Sequence, residues 1–219
     1  MKFKMIAQNI QTIKADLPPH VTLVAVSKTK PVAQLMEAYA AGQRIFGENK
    51  IQEMADKFEQ MPKDIHWHMI GHVQTNKVKY MASFVSLIHG VDSLKLLAEI
   101  DKQAAKHERV IDCLLQMHIA QEETKFGLDE AELQNLLDSD TYRNLKNIKV
   151  VGLMGMATFT DNQSIIKNEF DTLKSIFDRC AAQHPQFQVL SMGMSGDYQL
   201  AISCGSTMVR IGSSIFGNR

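Results

Sequence analysis

Short apolar runs alternate with amphipathic stretches along this chain. The runs are Thr22–Val26, Arg44–Phe46, His66–Ile70, Phe84–Ile88, Ile111–Ile119, Val150–Met156, Gln188–Met192 and Thr207–Ile211, which gives eight candidate strands. Several are near-continuous in Val, Leu, Ile and Met, as strands covered on both faces are in parallel sheets. Between them lie helical stripes. Ile51, Met54, Ala55 and Phe58 form one, and Ile166, Phe170, Leu173, Phe177 and Cys180 form another at spacings of 4, 3, 4 and 3. Phe3, Ile6, Ile10, Ile13 and Leu17 predict an extra N-terminal helix, ended by Pro18-Pro19. Strand–helix alternation implies a parallel sheet with helices outside. Eight strands predict a single (β/α)8 TIM barrel, one domain over residues 1–219. An open doubly wound sheet would satisfy the same alternation.

Composition removes several function classes. Lys+Arg and Asp+Glu are both 24, so no basic excess points to nucleic acid. The N-terminal stripe is interrupted by Lys4, Gln8, Lys14 and Asp16, which is not a signal peptide. No apolar run is long enough to cross a bilayer. Cys113, Cys180 and Cys204 are odd in number and far apart in sequence, suggesting neither a disulfide framework nor a zinc site. A reducing, cytoplasmic setting is expected, with a monomer as the default.

In such barrels chemistry sits at the C-terminal ends of the strands. Val24-Ala25-Val26 leads into Ser27-Lys28-Thr29-Lys30-Pro31, so Lys28 falls at the end of the first strand. A lysine after a strand is most often a surface residue. One that faces a barrel mouth loses hydration, which favours the free amine that adds to an aldehyde. The last two strands run into Ser191-Met192-Gly193-Met194-Ser195-Gly196-Asp197 and Arg210-Ile211-Gly212-Ser213-Ser214. Either Gly/Ser loop alone is an ordinary turn. Together they occupy the place where barrels hold phosphate. A phosphate site opposite a lysine calls for a phosphorylated aldehyde.

Five segments, in order, carry a resemblance over nearly the whole chain. They are Ala25-Val26-Ser27-Lys28-Thr29-Lys30-Pro31; Phe46-Gly47-Glu48-Asn49; Trp67-His68-Met69-Ile70-Gly71 with Gln74 and Asn76-Lys77; Gly152-Leu153-Met154; and Leu190 to Ser195 leading to Val209-Arg210-Ile211-Gly212 and Ile215-Phe216-Gly217. The chain resembles the pyridoxal-phosphate homeostasis protein family, whose barrel is that of alanine racemase. The resemblance implies pyridoxal 5′-phosphate (PLP) held as a Schiff base on Lys28. It places Ser195, Gly212 and Ser213 at the phosphate, Arg210 beside the pyridine nitrogen, and Asn49 in the pocket lining. The sequence departs from the family pattern at Lys50, His72 and His118, which concerns the pocket rim.

Other constellations have plainer explanations. His66 and His68 share a strand face, as a metal-binding pair would, but no carboxylate cluster completes a site. One of them is expected to line the pocket and the other to be packed. Glu122, Glu123 and Asp129 precede a helix, where capping and solvation are expected. Met154, Met156, Met192 and Met194 suggest core filling near the mouth. Cys113 and Cys180 lie on apolar runs and are expected to be inert.

Two function classes compete: a PLP carrier that releases the cofactor to apo-enzymes, and a PLP-dependent amino-acid racemase or decarboxylase. PLP enzymes draw charge into the ring. Arginine donates only, so Arg210 cannot keep the pyridine nitrogen protonated. Related racemases also use arginine but add a second domain that brings a further base. The sequence ends two residues after Gly217, and no such domain is expected. The binding protein is the favoured expectation.

Overall fold

The computed structural model describes residues 3–122 and 126–217. The elements are α1 (Phe3–Asp16), β1 (Thr22–Val26), α2 (Val32–Ala40), β2 (Ile45–Glu48), α3 (Ile51–Gln60), β3 (His66–Met69), a 3-10 helix (Thr75–Tyr80), β4 (Val85–Val91), α4 (Leu94–Ala105), β5 (Ile111–Gln116), α5 (Glu130–Asp138), α6 (Asp140–Arg143), β6 (Ile148–Met154), α7 (Gln163–Gln183), β7 (Val189–Met194), α8 (Tyr198–Ser203), β8 (Met208–Ile211) and α9 (Ser213–Phe216). The eight strands form a closed parallel barrel in chain order. β1 and β8 close it, with Val24 opposite Arg210. The open-sheet alternative is thereby ruled out.

Each expected strand exists, with ends displaced by a few residues. The displacements favour polar extensions. β2 runs on through Gly47-Glu48, and β4 runs on through His89-Gly90 to Val91. In both places the polar side chain finds a buried partner, and β4 pairs with β5 again at Val91 after a register shift. β5 stops earlier, at Gln116, rather than reaching Ile119.

Alternation along the strands sorts side chains into two cores. Val24, Leu87, Leu114, Val151, Met154 and Met208 pack together inside the barrel. A larger cluster fills the layer between sheet and helices. It includes Phe46, Trp67, Ile88, Leu153 and Phe170, and Ile6, Ile10 and Ile13 of α1. α7 buries the whole expected stripe from Ile166 to Cys180. Burying a Leu- or Ile-sized side chain contributes about 1.5–3 kcal/mol, so this layer dominates stability.

Candidate cofactor site

Lys28 lies two residues beyond the end of β1, after Ser27. The loop that carries it is clamped from behind. Thr29 adopts a left-handed φ of 63°, unusual for a β-branched residue. Its backbone N–H donates to Glu53 Oε1 at 2.6 Å. Lys57 of α3 donates to the Ser27 carbonyl oxygen at 2.8 Å, to Glu48 Oε1 at 2.7 Å and to Glu53 Oε1 at 2.7 Å. Those three bonds use every donor of its ammonium. Ser27 Oγ also donates to Glu48 Oε1, at 2.6 Å. Lys57 and Glu48 are both buried in the layer between sheet and helix. Burial pushes the Glu48 carboxyl above its ordinary value, against the pull of Lys57 and Ser27.

The Lys28 side chain is half-buried and makes no hydrogen bond or ion pair among the described residues. Lys30, two residues on, donates to the Gly217 carbonyl oxygen at 2.9 Å. Both lysines line one cavity of about 400 Å³ at the C-terminal mouth of the barrel. That volume suits a small cofactor. Asn49, Ser195, Arg210, Gly212 and Ser213 line the same cavity, so all six expected site residues meet there.

The loops after β7 and β8 are tied together where the Gly212 N–H donates to Ser195 Oγ at 3.2 Å. Gly212 lies against β1. A Cβ there would come within 3.1 Å of the Val26 carbonyl oxygen. The first N–H groups after Gly212, at the start of α9, have no intrahelical partner. Asn49 follows β2 and is covered by Gly71. A Cβ at Gly71 would sit 2.4 Å from the Asn49 carbonyl oxygen, so only glycine lets the β3 loop pass.

Arg210 is 3% exposed and forms part of the cavity floor. It donates from Nη1 to the Ser191 carbonyl oxygen at 2.8 Å and to Ser191 Oγ at 2.6 Å, and from Nη2 to the Gly155 carbonyl oxygen at 3.0 Å. Burial lowers its pKa to about 10, which leaves it a cation at neutral pH. Below it, Ser191 Oγ lies 3.0 Å from His89 Nδ1, and His89 Nε2 lies 3.0 Å from His68 Nδ1. Burial pushes His68 down to about 3, and holds His89 well below the usual range with help from His68 and Arg210.

For the histidine pair, His68 is packed as expected, while the expected pocket-lining role falls to neither. Neither His66 nor His68 lines the cavity. His66 is exposed at the start of β3, while His68 points into the lumen toward His89. Among the described residues no group of three or more His, Cys, Asp and Glu side chains is placed to hold a metal ion. The methionines divide: Met154 and Met192 are core, but Met156 and Met194 line the cavity. Asp129 caps α5 in a capping box with Glu132, and Glu122 Oε1 accepts from the Phe159 N–H at 2.9 Å. Glu123 lies outside the described residues. Cys113, Cys180 and Cys204 are free and buried, and burial pushes the Cys113 thiol up.

A family model described as alanine racemase, N-terminal domain, matches residues 2–219. The pyridoxal phosphate homeostasis protein of Vibrio alginolyticus is 38% identical, over 98% of this chain and 97% of its own. That of Aquifex aeolicus is 39% identical, over 90% and 86%. The chain belongs to the pyridoxal phosphate homeostasis protein family. Among solved structures, PipY of Synechococcus elongatus PCC7942 is 35% identical and matches 97% of this chain and 100% of its own. Its TM-score is 0.91 without PLP and 0.88 with PLP bound. Alanine racemase from E. faecalis, 15% identical with a TM-score of 0.71 over 59% of its chain, shares the fold. Within this member of the homeostasis family, the departures Lys50 and His72 line a neighbouring cleft of about 270 Å³ that shares Asn49 with the main cavity. His118 is exposed, its Nε2 3.0 Å from the Glu122 carbonyl oxygen.

Residue-by-residue reading missed the apolar walls Ile70, Met156 and Phe159, and both polar networks behind the site. Ser27 and Glu48 stood in the quoted segments without a role, and His68 was expected only as pocket lining or packing. Nothing in the sequence singles out Lys57 or His89.

Proposed function

We propose that this protein binds PLP covalently on Lys28 and serves intracellular vitamin B6 homeostasis, holding the cofactor and releasing it to apo-enzymes. The observation that carries this reading is one cavity. In it a lysine amine with no partner among the described residues shares the barrel mouth with two Ser/Gly loops and a buried arginine. Its near full-length likeness to PipY, a protein solved with PLP bound, supports the same reading.

The residues present fit this cofactor. PLP supplies an aldehyde carbon that condenses with a lysine amine. Lys28 would provide that amine, since the amine of Lys30 is held by the Gly217 carbonyl oxygen. Ser195, through its hydroxyl, and Gly212 and Ser213, at the β8 loop, would receive the phosphate. Arg210 would face the pyridine nitrogen as a donor and leave it unprotonated. Asn49 would line one side, with Ile70 and Met156 as apolar walls.

The absence of turnover is part of the proposal. Apart from two lysines and Arg210, no side chain lining the cavity among the described residues is titratable. Removing an α-proton needs a positioned base, worth about 10²–10⁴-fold. The ring nitrogen facing Arg210 offers a weak electron sink. No helix among the described residues is long and apolar enough to cross a membrane. A cytoplasmic monomer is the form proposed.

The test is borohydride reduction of the PLP-loaded protein followed by peptide mapping. One pyridoxyl group on Lys28 is expected. A label on Lys30 or Lys77 instead would sink the assignment. In parallel, amino acids should racemise or decarboxylate no faster than with free PLP. Multiple turnovers that vanish in Lys28→Ala would restore the enzyme reading.

A further inference from the structure

The lumen beneath the cavity holds two histidines that touch nothing a ligand would touch. Their hydrogen-bond partners nevertheless fix their protonation. Arginine has donors only. Arg210 Nη1 lies 2.6 Å from Ser191 Oγ, so that oxygen accepts there. Ser191 is fully buried and His89 Nδ1, 3.0 Å away, is the one acceptor its hydroxyl has among the described residues, so the hydroxyl hydrogen points there. His89 Nδ1 is therefore an acceptor, and its hydrogen sits on Nε2. That Nε2–H faces His68 Nδ1 at 3.0 Å, so His68 also accepts on Nδ1 and carries its hydrogen on Nε2. One guanidinium thus sets two tautomers through a chain of bonds that runs from β8 through β7 and β4 to β3. Burial and the Arg210 cation both oppose a charged imidazole at His89.

The chain also acts in the other direction. Of the five N–H groups of Arg210, two on Nη1 go to Ser191 and one on Nη2 goes to Gly155. The second Nη2 hydrogen and the Nε hydrogen have no acceptor among the described residues, and Arg210 lines the cavity. That allocation holds only while the Ser191 hydroxyl presents a lone pair to Nη1. His89 Nδ1 fixes the hydroxyl rotor in that orientation by taking its hydrogen.

We propose that His89, backed by His68, is the positioning residue for Arg210, locking Ser191 as an acceptor and so determining which guanidinium hydrogens face the ring nitrogen of bound PLP. This rests on the PLP-binding reading given above.

Two measurements test it. Nitrogen-15 NMR of the imidazoles at neutral pH, in the protein without PLP, should show His68 and His89 neutral with hydrogen on Nε2. Hydrogen on Nδ1 of His89, or a doubly protonated ring, overturns the relay. In the loaded protein, His89→Leu should shift the visible absorbance of the bound cofactor and speed PLP release about tenfold, the scale of one lost charge-assisted hydrogen bond. His89→Asn should stay near wild type, because its Oδ1 sits close to the position of Nδ1 and can accept from Ser191. Wild-type spectra and release rates in His89→Leu overturn the proposal, as does His89→Asn behaving like His89→Leu. If His89→Leu does not fold, Ser191→Ala carries the same expectation and the same refutation. A wild-type protein that traps no PLP on Lys28 would defeat the functional reading, while the NMR result would still decide the relay.

Discussion

Two buried polar networks flank the cofactor cavity, and they handle burial differently. Behind Lys28, in the layer between sheet and helix, lies a charged one, where Lys57 serves Ser27, Glu48 and Glu53. Beneath Arg210, inside the lumen, the imidazoles of His68 and His89 are neutral. A buried ammonium has short, strong bonds but leaves uncompensated charges if a partner goes. A neutral imidazole chain costs less to bury and loses its acceptors once a ring takes up a proton. The charged network holds backbone: it bonds the Ser27 carbonyl and, through Glu53, the Thr29 N–H. The neutral one holds a side chain. Placement of the loop that carries Lys28 and support of the Arg210 guanidinium thus fall to different chemistry.

The sharpest way to break this contrast is Lys57→Met. It strands Glu48 and Glu53 without their cation and should cost about 3–5 kcal/mol in urea unfolding. Glu48→Leu combined with Lys57→Met should recover part of that loss. A single variant within about 1 kcal/mol of wild type would show that the cluster is not a structural hub.

Acid should find the neutral network. The folded-state pKa of His68, about 3, is depressed from 6.5. The unfolded chain therefore binds protons that the folded chain refuses. Stability is present in full above pH 6.5 and falls as pH drops toward 3. At pH 5 the loss is about 2 kcal/mol for His68. His89, also held low, adds to it in the same direction. Unfolding free energies measured from pH 7 to 5 should show this slope, and His89→Asn should flatten it. A pH-independent wild type over that range would mean that the folded rings take up protons as readily as the unfolded chain does.

Ser195→Ala touches neither network and calibrates both. It should weaken PLP binding by about 1–3 kcal/mol and leave the weaker binding of pyridoxal unchanged. Equal losses for the two ligands would move the phosphate elsewhere. The smallest effect belongs to Thr29→Gly. Relief of the left-handed φ, at about 1–2 kcal/mol, is offset by the chain entropy of glycine, at about 0.5–1 kcal/mol. Thermal unfolding should show a net gain between zero and about 1.5 kcal/mol.

The barrel was legible because apolar runs and helical stripes report burial directly, and every expected strand is present. Lys28 and the two loops were legible because they follow strands at the mouth. His89 was not. Its strand was expected to end at Ile88, since a histidine and a glycine read as a loop when the lumen is assumed apolar. Lys57 was invisible for a related reason. It sits beside the stripe of Ile51, Met54 and Phe58, and its burial depends on Glu48, nine residues earlier on another element. Periodicity registers apolar burial; it does not register a charge whose partner folding supplies.

The cavity straddles the β1–β8 seam, where the first and last strands meet. The same seam is fastened by Asn9 donating to the Ile215 carbonyl oxygen, 206 positions apart, and by Lys30 donating to Gly217. These are among the longest-range contacts a chain of this length can make, and loop-closure entropy disfavours forming them early. The binding site should therefore assemble late in folding, when the ring of strands shuts. A ligand that bridges Lys28 and the loops after β7 and β8 would act as a latch on that closure. In kinetic experiments it should slow unfolding more than it speeds refolding, because interactions absent from the transition state act on the unfolding rate.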